Sequence, residues 1–463
     1  MSASAGIFHA HYRLVTFGAL AIVALTAFEN LAVTTVMPVI SRDLHGASLY
    51  AVAFAGPLAA GVVGMVLAGN WSDRSGPRLP LFASVLLFAA GLLLAGTAET
   101  MATLVAGRIT YGLAGGATSV ALYVIVGRFY PVPMQTKIFG AFAAAWVLPA
   151  LLGPAIAGIL ADTVGWRWVF LGVVALVAIA MLMVVPAIRE LGATQTNHSI
   201  PWSFGRIGWA ILLALAILAL SLSGELPGAL SVAAAAASLV VAVIAARPLL
   251  PARTLRGGRG LPSVIMLRAV IAGAYFGAEV YLPYLLTTQF GLTPALAGLS
   301  LTGAGIAWGA ASVLQGRVSH RLSPRAAVRL GIVGAAIAIV AALATSLFTL
   351  PVWIAIVGWA VGGAGMGTLI PRLSVLMFTY SVPTNQGFNS SAVSIADSVG
   401  PGISLALAGI LFGSITPGGT LPFSAVFVFV LALGLVAMVM SGRVVERGER
   451  PIPAPAAAGN PVP

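Results

Sequence analysis

The sequence specifies an all-α membrane protein of fourteen transmembrane helices, and three observations carry that reading. Of its 463 residues, 60% are hydrophobic and only 7% are charged, against about 25% charged in an ordinary soluble domain. No soluble surface can be built from that composition. Apolar runs of about 20 residues or more, long enough to cross a hydrocarbon core about 30 Å thick, recur from one end to the other. The basic residues are also sorted by side. With both termini in the cytoplasm, all but five of the 23 Lys and Arg residues fall on the inner side. The exceptions are Arg42 and Arg167 outside, with Arg108, Arg268 and Arg372 inside spans. This is the positive-inside pattern, and a basic rim facing anionic lipid accounts for the net charge of +12 without nucleic acid.

The spans follow in order. The first, 14–40, far exceeds the roughly 7 to 15 apolar residues of a signal peptide, and so is expected to stay as a helix; it carries Glu29. Spans 48–70 and 79–97 flank a polar segment from Gly69 to Arg78. Span 102–128 holds Arg108 and a group of glycines, 137–161 holds Gly153-Pro154, and 168–187 completes a first set of six. Spans 206–225 and 227–246 come next, and an arginine-rich stretch, Arg247 to Arg259, leads out of them. The second set opens with 262–288, which contains Glu279. Spans 294–317 and 326–347 flank another polar segment, Gly316 to Arg325. Span 351–379 contains Arg372, 386–414 contains Asp397 and Gly400-Pro401, and 421–441 ends the set. The tail "PIPAPAAAGNPVP" is too rich in Pro, Ala and Gly to pack and is expected to be disordered.

An internal repeat organises these spans. "GNWSDRSGPR" (Gly69 to Arg78) aligns with "GRVSHRLSPR" (Gly316 to Arg325), and the same offset of 247 residues carries Gly153-Pro154 onto Gly400-Pro401. Two landmarks in one register imply two homologous halves. Because the second span maps onto the tenth, two additional helices lie between the halves. The expected division is 1–190 for the first bundle, 191–260 for a linker with the two additional helices, 261–442 for the second bundle and 443–463 for a cytoplasmic tail.

Four motifs resemble those of the major facilitator superfamily, in its fourteen-helix drug:proton antiporter branch. "GNWSDRSGPR" resembles the signature between helices 2 and 3, with Asp73, Arg74 and Arg78 in place; charge and helix-dipole contacts there would lock one face shut. The second copy has His320 where the first has Asp73, which implies a weaker second latch. "LVAGRITYGLAGG" resembles the signature that sets an arginine, here Arg108, inside the membrane. A guanidinium at that depth needs partners, and Gly112, Gly115 and Gly116 would permit close packing. "PALLGPAIAG" resembles the antiport signature and departs from it at Pro149 and Ala157, where glycines are usual. "FENLAVTTVMPVI" resembles the acidic signature of the first helix, with Glu29 at the acidic position. The resemblance implies two six-helix bundles plus two inserted helices, working by alternating access as a monomer of the cell inner membrane. It implies no enzyme activity.

An ionised carboxylate in mid-span costs about 2.5 to 3.5 kcal/mol on insertion scales, so an acid there faces a wet cavity or does work. Of eleven Asp and Glu residues, three lie well inside spans: Glu29, Glu279 and Asp397. Burial penalises the charged carboxylate and a nearby arginine favours it, so a site whose surroundings change can carry a proton. Glu29 is the expected proton acceptor, Arg108 its electrostatic partner, and Asp397 and Glu279 further titratable sites. Tyr275 and Phe276 share a helix face with Glu279, an arrangement that suits an organic cation; Asn30, Thr34 and Arg372 complete the expected substrate contacts. Arg372 also lies at a depth from which it could pair with Asp397. Asp73, Arg74, Arg78 and the pairs Gly153-Pro154 and Gly400-Pro401 are the expected gating elements.

Other chemistries lack support. The five histidines are scattered, no cysteine is present, and no metal site is expected. "GGAGMG" lacks the strand-turn-helix context of a dinucleotide loop, and no GxxxxGK[ST] exists, so the expected fuel is a proton gradient with no cofactor. The reading is a proton-coupled exporter of hydrophobic or cationic small molecules. Its alternatives are a facilitator or proton-coupled transporter of one metabolite or lipid, and a non-transporting receptor that kept the fold.

Overall fold

The computed structural model describes residues 6–46, 49–191, 201–223, 226, 228–292, 294–318, 322–415 and 419–445. They form sixteen α-helices and, among the described residues, no strand. In hydrocarbon no water can satisfy a backbone N–H or C=O, so each span must bond within itself. The first six spans are α1 (Arg13–Asp43), α2 (Tyr50–Ser75), α3 (Arg78–Gly96), α4 (Met101–Phe129), α5 (Val132–Ala144) with α6 (Val147–Thr163), and α7 (Arg167–Leu191). Then come α8 (Phe204–Leu222) and α9 (Gly228–Ala246). The second set is α10 (Leu261–Glu279) with α11 (Tyr281–Thr288), α12 (Pro294–Val318), α13 (Pro324–Phe348), α14 (Val352–Thr379), α15 (Gln386–Ser414) and α16 (Leu421–Met440). Among the described residues thirteen stretches are long and apolar enough to cross a membrane, and α5 and α6, each too short alone, together make the fourteenth span. His320, Glu225 and residues 446–463 of the expected tail lie outside the described residues, as do the side chains of Thr34 and Pro154.

Two spans expected to be continuous are broken, and proline explains both. Proline has no N–H for the carbonyl four residues back and its ring clashes with that carbonyl. Pro149 therefore strips Ala145 of its partner, and the chain leaves regular helix between Ala144 and Val147. Pro283 does the same to Glu279, where α10 ends. In α14 the helix instead runs through Pro371: Ser312 of α12 donates its hydroxyl to the freed carbonyl of Gly367 at 3.0 Å, the kind of side-chain repair that lets proline persist in membrane helices.

Small residues set the helix approaches. A Cβ on Gly116 would strike the backbone of Gly61, pinning α4 onto α2, and one on Gly363 would strike Ala304, pinning α14 onto α12. The offset of 247 relates Gly116 to Gly363, so the repeat read in the loops also governs the core. The halves meet along two equivalent seams. In one, Gly69 of α2 lies on Gly387 of α15; in the other, Gly140 of α5 lies on Ser312 of α12 and Gly316 on Lys137.

The inserted helices cover the first of these seams. Ala210, Leu213 and Ala216 of α8 and Ala242 and Ala245 of α9 pack with Val62 and Val66 of α2 and Ile395 of α15 in an apolar cluster of their own. Their other faces expose Leu215, Leu230 and Val240, as lipid contact requires.

This packing makes a paired prediction. Gly116→Leu should overpack the α2–α4 contact and cost about 1 to 3 kcal/mol. Gly115→Leu, whose Cβ meets nothing within 4 Å, should leave stability nearly unchanged. Thermal unfolding of the two purified variants in detergent checks the difference.

Candidate functional site

The seam between α2 and α15 is closed by a carboxylate. Gly76, at φ 76°, adopts the left-handed conformation that favours glycine and turns the chain sharply after α2. This leaves Asp73 free to cross to the other half. Its Oδ1 accepts the Gly387 N–H at 2.6 Å and its Oδ2 the Phe388 N–H at 2.8 Å. Those are the orphan donors of the first turn of α15, which an N-cap side chain normally satisfies. The cap residue of α15 itself, Asn385, spends its Oδ1 on the Val382 N–H. Asp73 thus caps a helix of the opposite half and meets its positive dipole end.

Arginines reinforce the closure. Arg128 of α4 donates to the Pro383 carbonyl at 2.8 Å, the Ser72 carbonyl at 3.3 Å and Gln386 Oε1 at 3.4 Å. Arg206 of α8 lies 4.2 Å over the Phe388 ring, while the Ser203 N–H bonds Asn70 Oδ1 at 3.2 Å. The insert is therefore tied to both sides of the closed seam. Of the other expected gating residues, Arg74 is half-buried and Arg78 is exposed at the first position of α3. The break in span 5 falls before Gly153, and α15 continues through Gly400-Pro401; Gly400 instead packs on the backbone of Ala269 in α10.

Glu29 is 1% exposed, and neither of its carboxylate oxygens has a hydrogen-bond partner among the described residues. Arg108 is close enough for its charge to act on that carboxylate. The guanidinium itself is poorly bonded. Its Nη1 reaches Met37 Sδ at 3.9 Å, Nε has no hydrogen-bond partner among the described residues, and the Phe54 ring lies 5.0 Å from Cζ. The Tyr111 hydroxyl lies beside it. A carboxylate, a guanidinium and a phenol thus lie close enough to act on one another. Asn30 is exposed and bonds the Thr26 carbonyl at 2.9 Å.

The second half answers the same problem differently. Asp397 pairs with Arg268 of α10, Nε to Oδ1 at 2.6 Å. This corrects the expected pairing with Arg372, whose Nη2 donates to the Leu322 carbonyl at 2.8 Å. Arg268 was visible as a charge within a span and hence as a residue that needs partners; the sequence did not say which.

Glu279 is half-buried at the end of α10, with no hydrogen bond or ion pair found for it among the described residues. Tyr275 does not form an open face beside it. It is 1% exposed and stacked on Trp359 at 5.0 Å. The half-buried rings are Phe276 and Trp308, 6.0 Å apart. Trp308 comes from α12 and had no sequence signal linking it to Glu279. Among the described residues, no cluster of His, Asp and Glu could hold a metal ion.

The family profile described as Major Facilitator Superfamily matches residues 19–278 and 264–462. The chain is 29% identical over 216 residues to multidrug resistance protein 3 of Bacillus subtilis (strain 168), a match spanning 47% of this chain and 41% of that protein. It is 25% identical over 449 residues to a probable multidrug-efflux transporter of Mycobacterium tuberculosis (strain ATCC 25618 / H37Rv), covering 92% of this chain and 93% of the other. The fold is similar to that of the human organic anion transporter TETRAN, with a TM-score of 0.70 at 15% identity over 93% of this chain and 99% of that one. It is also similar to the proton:xylose symporter XylE, with a TM-score of 0.65 at 16% identity over 94% of this chain and 95% of that one.

Asp73→Asn tests the seam. An amide offers one acceptor oxygen where the carboxylate offers two and carries no charge, and losing a charge-assisted bond costs about 1.5 to 3 kcal/mol. The open seam should gain population roughly tenfold or more. Buried Ser391 lies beside Gly69, and the chain has no cysteine. Maleimide labelling of Ser391→Cys should therefore speed up in the Asp73→Asn background.

Proposed function

Because the chain belongs to the major facilitator superfamily, and is thus a multi-pass membrane transporter of small molecules rather than an enzyme, we propose that it exports hydrophobic or cationic compounds in exchange for protons. The observation that carries this reading is Glu29, a buried carboxylate whose oxygens no described donor engages, with Arg108 in electrostatic range. A structural acid is held by hydrogen bonds; an acid left open can take and release a proton. The names of the relatives, which describe multidrug resistance and efflux, support export as the direction.

The work runs by alternating access, two bundles rocking about a midplane site. The end closed by Asp73 and Arg128 is the cytoplasmic end on the positive-inside pattern, with both termini in the cytoplasm of a cell-membrane protein. With that end shut, Glu29 exchanges its proton on the outer side. When the seam opens, the proton leaves inward and the acid, ionised beside Arg108, awaits cargo. Glu279 supplies the charge for a cation, and Phe276 and Trp308 supply aromatic surface within reach of it. No cofactor enters this cycle, and one chain contains every part.

In proteoliposomes an imposed proton gradient should drive uphill movement of a cationic dye, and Glu29→Gln should abolish the uphill component while downhill flux persists. Equal rates with and without the gradient would overturn the proton-coupled reading in favour of a facilitator. Glu279→Gln should weaken binding of a monocationic dye about five- to thirtyfold, the equivalent of roughly 1 to 2 kcal/mol. A neutral analogue should lose little, and calorimetric or fluorescence titration of both ligands checks the contrast.

A further inference from the structure

Arg268 of α10 bonds three other helices and joins both halves. Its side chain is 3% exposed, while that of its partner Asp397 is 32% exposed. Nε holds Asp397 of α15 at 2.6 Å. Nη1 donates to Ser374 Oγ at 2.6 Å and to the Ile370 carbonyl at 3.3 Å, both on α14. Nη2 reaches across to the opposite half and donates to Tyr123 Oη of α4 at 3.3 Å. Tyr123 in turn packs edge-on against Phe139 of α5 at 5.0 Å, and Phe139 stacks on Phe378 of α14 at 5.9 Å. Polar and aromatic contacts therefore close the halves at this level. Asp397 lies ten residues beyond Gly387, roughly 15 Å along α15. The same helix is thus tied to the first half twice, at its N-terminus by Asp73 and three turns deeper through Arg268.

We propose that Arg268 is a positioning residue that converts the proton occupancy of Asp397 into the closing and parting of the two halves at Tyr123. The guanidinium is planar, so fixing Nε on one carboxylate and Nη1 on Ser374 aims Nη2. An ionised Asp397 holds the plane and the contact with Tyr123. A protonated Asp397 removes the charge-assisted bond and leaves Arg268 a buried, uncompensated cation, which is relieved when the halves separate and water reaches it. Proton binding and the closed tie exclude one another, so each favours the state without the other.

Among the described residues Arg268 is the cation that bonds Asp397. The helices packed on α15 are α2, α4, α8, α9, α10, α14 and α16. Among the described residues, Arg268 from α10 and Tyr123 from α4 are the ionisable groups that act on Asp397. In α2 and α8, Asp73 and Arg206 sit at the capped end of α15, with Arg74 beside Asp73. Arg372 of α14 is engaged with Leu322, and α9 and α16 contain no ionisable residue.

The proposal deepens the proton-coupled reading and rests on it only for the use to which the motion is put. The experiment therefore reads conformation, not transport. Spin labels at Val132→Cys, the first residue of α5, and Val382→Cys, before α15, both exposed, report the separation of the halves in lipid nanodiscs by double electron–electron resonance at pH 8 and pH 5. The parent should gain a longer-distance population at pH 5. Asp397→Asn should show that population at both pH values, at least threefold above the parent at pH 8. Tyr123→Phe, which removes one hydroxyl, and Arg268→Lys, which keeps the charge but not the fork, should each raise it at pH 8 with Asp397 intact. Glu29→Gln should lose uphill transport yet keep the pH response. Parent-like distances in both Tyr123→Phe and Arg268→Lys, or no pH response in the parent, overturn the proposal. So does a pH response that survives Asp397→Asn and vanishes in Glu29→Gln.

Discussion

Charge held at bilayer depth must be satisfied by protein, because lipid offers nothing and water arrives only when the molecule opens. This chain meets that constraint in two opposite ways. In the second half Asp397 and Arg268 neutralise each other, and the remaining guanidinium donors go to Ser374, Ile370 and Tyr123. In the first half Glu29 and Arg108 lie within electrostatic range without such closure, and among the described residues the Glu29 oxygens and Arg108 Nε have no hydrogen-bond partner. The two halves descend from one repeat and carry their charges to different ends.

The interface between the halves follows from the same economy of polar groups. A helix N-terminus in a membrane protein has donors to satisfy, and α15 leaves its first turn to Asp73 of the other half. Closing the seam therefore completes a helix cap, and opening it exposes donors that only water can replace. Glycines make the contact possible: a side chain at Gly69 or Gly387 would strike the facing backbone, and Asp73 could not then reach across. The inserted helices belong to this interface too. Their cluster with Val62, Val66 and Ile395, and the placement of Arg206 over Phe388, bind them to both walls of the seam.

Much of this was legible in the sequence. Fourteen apolar spans, the repeat offset and the identity of the intramembrane acids are one-dimensional facts, since span length is set by bilayer thickness and a charge inside a span announces itself by contrast. The motif likewise singled out Asp73, which the structure finds bonded to α15 of the other half. Proline positions held more than was read from them: Pro149 and Pro283 each place a break four residues upstream, at Ala145 and Glu279, and the rule that does so is local.

What only the tertiary structure decided was pairing. Asp397 had two arginines within spans of its own half, Arg372 and Arg268, and sequence depth made Arg372 plausible; helix rotation turned it to Leu322 and turned Arg268 inward. Tyr275 shares a helix face with Glu279, yet packing buried its ring on Trp359 and brought Trp308 from another helix against Phe276. Depth along a helix is written in residue number, because the rise per residue is constant. The angle a side chain presents to a neighbour depends on how that helix packs, and packing is a property of all the helices together.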